Sequence, residues 1–139
     1  MAITRVNPGQ LHPTSGYAHV TIVDSGRLAV LAGQCPLDRD ERVVGDGDFL
    51  AQADQVAANA VVALAAASAA PADVIRSVIY VVSDDPAVLS AVWDRLTASV
   101  IGPAFTTAST LLGVAALGYR GQLVEVDLTA ALPDQPASP

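Results

Sequence analysis

The sequence predicts one α+β domain, in the order β-β-α-β-α-β-β, with two helices laid on one face of a mixed sheet. Three observations carry that prediction. Residues 17–23 alternate, with Ala18, Val20 and Ile22 on one side and Tyr17, His19 and Thr21 on the other, the pattern of a half-buried strand. Residues 74–82 are a dense run of Val, Ile and Tyr, which is the composition of a buried strand. Two further segments repeat apolar residues at helical spacing, and Pro71 and Pro103 close them. Two helices against about five strands pack most economically on the same sheet face.

A chain of 139 residues suits one domain that buries about two-thirds of its unfolded surface. Residues 1–15, with Pro8, Gly9 and Pro13, read as an irregular arm ahead of a core at about 17–131. After the alternating strand, Asp24-Ser25-Gly26-Arg27 is turn chemistry, and 28–32 returns as the second arm of a hairpin. Gly33-Gln34-Cys35-Pro36 ends that arm, and a polar loop follows to Gly47. Asp48 caps a helix over about 49–70. Leu50, Ala53, Ala57, Ala60, Val61, Leu64 and Ser68 share its inner face. Gln52, Gln55 and Asn59 form a polar stripe along its edge, which reads as a solvated edge, or, for Asn59, as a partner for backbone near Gly33.

Asp85 caps the second helix with Pro86 at its first position, and Leu89, Val92, Trp93, Leu96 and Val100 recur at core spacing. Strands over about 107–114 and 122–130 follow, and the tail at 132–139 is expected to be flexible. In the last strand Val124, Val126 and Leu128 point one way, while Leu123, Glu125, Asp127 and Thr129 point the other. That mixed face is also expected to receive Leu31 and Leu111, so it calls for cover by oligomerisation.

Composition narrows the partners. Net charge is −7 and the seven basic residues are all isolated arginines, so no cationic patch is available for a phosphate backbone. Nucleic acid is therefore not expected as a partner. Apolar runs are expected to fall short of the roughly 18 residues of a membrane span, and residues 1–5 do not resemble a signal peptide. The expectation is a cytoplasmic protein without a membrane partner. Cys35 is the one cysteine, which excludes an internal disulfide, and with no partner evident it reads as a small buried hydrophobe. His12 and His19 lack metal-site spacing, and Gly45-Asp46-Gly47-Asp48 sets carboxylates where a phosphate would lie. No metal or cofactor is expected.

The stretch 102–131 holds the residues with chemical potential. Glu125 is a carboxylate between two valines, and Phe105 sits where a loop can present a group to a ligand. On pattern alone, Glu125 reads as a partly solvated strand carboxylate, and Tyr17 reads equally as hairpin packing or cleft lining.

Several segments, in this order, resemble the RidA family (YjgF, or endoribonuclease L-PSP-like). Gly33-Gln34-Cys35-Pro36 resembles its Gly-Gln-x-Pro. Gln52, Asn59 and Leu64 resemble its Gln…Asn…Leu helix, and Asp73-Val74-Ile75-Arg76 its Asp-Val-Val-Lys strand. Gly102-Pro103-Ala104 and Val124-Glu125-Val126-Asp127 complete the set. The resemblance implies a chorismate-mutase-like fold, a homotrimer with its sheets inward, and three intersubunit clefts for a small molecule. It implies imine or enamine deaminase chemistry, a hydrolase reaction, with Glu125 catalytic and Tyr17, Gly33, Phe105 and Thr107 at substrate-binding positions.

Three positions depart from the family pattern. Phe105 stands where deaminases carry the arginine that clamps a 2-imino-acid carboxylate, Thr107 where a cysteine is common, and Ser90 where an asparagine is common. A charge-assisted pair contributes about 1.5–3 kcal/mol, so ordinary 2-imino acids are expected to be poor substrates. Arg120 has no spacing that marks it as a substitute. The expectation is imine or enamine hydrolysis, or related acid/base chemistry, on a non-standard substrate. The alternative is a non-catalytic metabolite-binding or accessory module, with endoribonuclease activity third. Phe105→Arg is the substitution this reading suggests for restoring the clamp.

Overall fold

In the computed structural model, which describes residues 2–133, both helices lie on one face of a mixed four-stranded sheet. The elements are β1 (Ile3–Val6), β2 (Val20–Val23), β3 (Leu28–Val30), α1 (Phe49–Ala66), β4 (Val74–Val81), α2 (Pro86–Thr97), β5 (Ala108–Gly113) and β6 (Val124–Ala131). Short 3-10 turns at Pro71–Asp73 and Gly102–Phe105 enter β4 and precede β5. The sheet order is β3-β6-β4-β5, with β6 antiparallel to β3 and β4, and β4 parallel to β5. Parallel strands need a long crossover, and α2 supplies the one from β4 to β5. Helix-facing residues Ile79, Leu128, Leu64, Leu96, Ile101 and Phe105 are the large side chains buried in the core.

The caps form as their residue types dictate. Asp48 accepts from the amides of Leu50 and Ala51, and Asp85 from that of Ala87 with Pro86 beginning α2. The helix ends differ from expectation. α1 stops at Ala66, because Ser68 turns left-handed at φ 61°. The Ser68 and Ala69 amides then donate back to Ala65 O at 2.9 Å and Leu64 O at 2.9 Å, a Schellman closure without the usual glycine. α2 stops at Thr97, which leaves Val100 outside the helix and 70% exposed.

Three other expectations change. Residues 3–6 of the arm form β1, antiparallel to β2 from Ile3↔Val23 to Val6↔Val20. The expected hairpin ladder between the second and third strands does not form. β2 is satisfied by β1, β3 by β6, and Gly26 merely reverses the chain between them. Leu31 and Leu111 pack against the helix-side core, not on the mixed face. Leu123 likewise packs against the core, and the mixed face carries half-buried Glu125, Asp127 and Thr129 beside Leu28 and Val30, the latter 77% exposed.

α1 is long and apolar enough to match a membrane span by length and composition, contrary to the sequence reading. Its Ala53, Val56, Ala57, Ala60 and Leu64 face is committed to the protein core. Most of the expected flexible tail, 134–139, lies outside the described residues.

Candidate functional site

Glu125 stands on the face of β6 turned away from the helices, opposite Tyr80 of β4. On its other side runs the segment after β3. The Gln34 amide donates to Val126 O at 2.7 Å, and the Val126 amide returns a bond to Gln34 O at 3.1 Å. This pairing sets Gly33 and Cys35 against the Glu125 side chain. A Cβ on Gly33 would overlap Glu125 Oε2 and come within 2.8 Å of Cδ, so glycine here makes room for the carboxylate.

The other carboxylate oxygen is held. Cys35 Sγ donates to Glu125 Oε1 at 3.2 Å, and Gln122 Nε2 donates to the same atom at 3.1 Å. Cys35 is half-buried and does have an anionic partner, which sequence reading missed. Burial first, then the hydrogen bond and charge of Glu125, push the thiol up to about 11, so it remains protonated at neutral pH.

The polar stripe of α1, read as a solvated edge or, for Asn59, as a partner for backbone near Gly33, anchors this cluster, and Asn59 takes the second role. Asn59 Nδ2 donates to the carbonyls of Cys35 and Leu37, both at 2.9 Å, and Gln55 Nε2 fixes Asn59 Oδ1 at 3.0 Å. Gln52 is 0% exposed. Its amide donates to Gly45 O and Gly121 O, each at 3.0 Å, and accepts from the Leu123 amide at 2.7 Å. α1 thus grips both the Gly33–Leu37 segment and the start of β6.

Tyr17 and Phe105 belong to a different place. A groove of about 1100 Å³ opens between α2, the Gly102–Phe105 turn and β5, lined by Tyr17, Ser90, Trp93, Asp94, Phe105 and Ser109 among others. Phe105 is only 1% exposed. Its ring meets Trp93 edge-on at 5.8 Å, and Trp93 meets Tyr17 at 6.2 Å. Phe105 is therefore a core residue at the groove floor. Glu125 is not among the groove's lining residues, and no arginine is, Arg120 included; Asp94 is its charged side chain. Ser109 and Leu111 of the groove pack on the helix side of the sheet, whereas Glu125 faces the opposite side.

Thr107 does not line the groove. It is fully buried, its hydroxyl donates to Ile75 O at 2.9 Å and pairs with Thr21 Oγ1 at 2.5 Å, and its carbonyl accepts from the Ala18 amide. With its one hydroxyl proton committed to Ile75 O, it ties β2 to the start of β5. Neighbouring Thr106 and Ser109 reach the groove instead. Trp93, Asp94 and Gln122 are the site residues that sequence reading underweighted. The spacing of Ser90, Trp93, Asp94 and Thr97 along α2 was the available signal for the groove.

Fold and site together define a small α+β domain with a carboxylate on the open sheet face beside a Gly-Gln-x-Pro turn. The chain belongs to the endoribonuclease L-PSP family, also called Rid or YjgF, whose family model matches residues 9–132. It is 34% identical over 115 residues to protein DfrA of Myxococcus xanthus, covering 82% of this chain and 83% of that one. The solved structure of YyfB from Yersinia pestis, a Rid protein of unknown function, superposes with a TM-score of 0.83 at 34% identity, covering 95% of this chain and 100% of that one. A Mycobacterium tuberculosis YjgF-family structure matches with a TM-score of 0.57 at 28% identity, covering 94% and 100% respectively.

Proposed function

We propose that this cytoplasmic protein is a homotrimeric hydrolase of small imines or enamines that lack a carboxylate, acting in clefts between subunits. The observation that carries the reading is the separation of two complementary half-sites. Glu125 and Gly33 lie on the open sheet face, while the aromatic and hydroxyl-lined groove lies at the helix side of β5. A neighbouring subunit seated on the open face joins one half-site to the other. Leu28 and Val30 give that face exposed apolar surface suited to such a contact.

In this reaction Glu125 takes a proton from water as the water oxygen attacks the imine carbon. Glu125 hands that proton to nitrogen, giving the carbinolamine R₂C(OH)NH₂. It then takes the carbinol O–H proton as the C–N bond breaks and passes it to the departing nitrogen, so that R₂C=NH and H₂O become R₂C=O and NH₃. Trp93, Tyr17 and the hydroxyls of Ser90 and Ser109 offer flat apolar contact and neutral hydrogen bonding, and Asp94 disfavours an anion. These features favour neutral or cationic substrates.

The test compares imines made in situ by a flavin amine oxidase, which carry no carboxylate, with those made by an amino acid oxidase. Faster ammonia release from the first class is expected, with at least about a hundredfold loss in Glu125→Gln. Equal ammonia release with and without the protein, for both classes, defeats the hydrolase reading. If a metabolite nevertheless raises the melting temperature, the chain is a binding or accessory module.

A further inference from the structure

We propose that Cys35 is a positioning residue for Glu125: with Gln122 it pins Oε1 on two donors and leaves Oε2, over Gly33, as the working oxygen. This rests on Glu125 being the base proposed above. The geometry is asymmetric. Both donors reach Oε1, at 3.2 Å from Sγ and 3.1 Å from Gln122 Nε2. No described side chain donates to Oε2, which lies where a Gly33 side chain would be.

A thiol has one proton, and two acceptors lie within reach of this one. Gly33 O is 3.6 Å from Sγ, farther than the carboxylate and uncharged, so the proton goes to Glu125. Gln122 has no freedom to reverse. Its Oε1 accepts from the Tyr119 amide at 3.2 Å, and its Nε2 also reaches Val124 O at 3.2 Å, so the nitrogen must face the carboxylate. Asn59 holds the Cys35 carbonyl from behind at 2.9 Å. Both donors are therefore preset by the fold, and the carboxylate is the movable part they fix.

Because the chain has a single cysteine, thiol alkylation reads this contact without any substrate. Iodoacetamide labelling at pH 8.5 is compared among wild type, Glu125→Gln and the distant control Asp54→Asn, with size-exclusion chromatography confirming equal assembly. Removing the Glu125 charge lowers the thiol from about 11. Glu125→Gln is therefore expected to label at least about threefold faster, and Asp54→Asn at the wild-type rate. An unchanged rate in Glu125→Gln overturns the contact.

The second arm measures hydrolysis of the amine-oxidase imine. Cys35→Ala is expected to lower kcat about three- to tenfold at unchanged KM, with Cys35→Ser recovering part of the loss through its O–H donor. Wild-type kcat in Cys35→Ala overturns the positioning role even if labelling responds. A wild-type protein that hydrolyses no imine, while labelling responds as expected, refutes the hydrolase reading and leaves the Cys35–Glu125 contact established.

Discussion

Phe105→Arg is the substitution that the family pattern invites, and the structure predicts that it damages the protein without restoring a clamp. Phe105 is buried to 1% exposure, in edge-to-face contact with Trp93 and within the cluster that includes Ile101 and Leu96. Losing a buried phenyl ring costs about 3–5 kcal/mol, including the aromatic pair. A guanidinium left in that position lacks a partner unless it turns into the groove, where Asp94 is the charged lining residue. In a 139-residue chain each kcal/mol moves the midpoint by about 3–5 °C, so a fall of about 10–20 °C is expected. Thermal denaturation followed by circular dichroism, at equal protein concentration, measures it, with Phe105→Leu as a milder control near 1 kcal/mol. Any folded fraction pairs its arginine with Asp94 and gains no turnover on 2-imino acids. A midpoint within about 3 °C of wild type would refute the placement of Phe105 in the core.

Two other outcomes are expected. In Gly33→Ala the new methyl group collides with the flexible end of Glu125, not with backbone, so the far-ultraviolet spectrum and melting stay close to wild type. Imine turnover nonetheless falls at least about tenfold as the carboxylate swings away; full activity would mean that Glu125 is not confined there. Gln52→Leu leaves Gly45 O, Gly121 O and the Leu123 amide without their buried partner. Urea denaturation should show a loss of about 2–4 kcal/mol, and a change under about 1 kcal/mol would mean that water replaces the glutamine.

Local chemistry was legible in the chain. Asp48 and Asp85 capped their helices, the β-branched run became the central strand β4, and the alternation in β6 sorted helix-facing valines from Glu125. What escaped depended on distant partners. The left-handed Ser68 that closes α1 has no glycine to announce it. Nothing near residues 3–6 says that β2 will pair with them rather than with β3. At the site, Phe105 and Glu125 are close in the functional logic of the family pattern, yet they face opposite sides of the sheet. Phe105 reads as a loop residue because the 3-10 turn that buries it takes its contacts from Trp93, twelve residues earlier. Gln52 reads as a wet edge because its partners around Gly45, Gly121 and Leu123 are remote in sequence. The second reading of Asn59, as a partner for backbone near Gly33, matches its bonds to Cys35 O and Leu37 O.

The two helices divide the labour of the candidate site. α1, through Gln52 and Asn59, fixes the frame in which Glu125, Cys35 and Gly33 meet. α2 contributes Ser90, Trp93, Asp94 and Thr97 to the groove. Substitutions at Ser90, Asp94 or Thr97 therefore reshape the groove without disturbing the carboxylate, while changes on the polar edge of α1 act on the surroundings of Glu125 without touching the groove. Under the proposed hydrolase reading, a protein wired this way exchanges its substrate and keeps its reaction, with selection on each helix proceeding largely apart from the other.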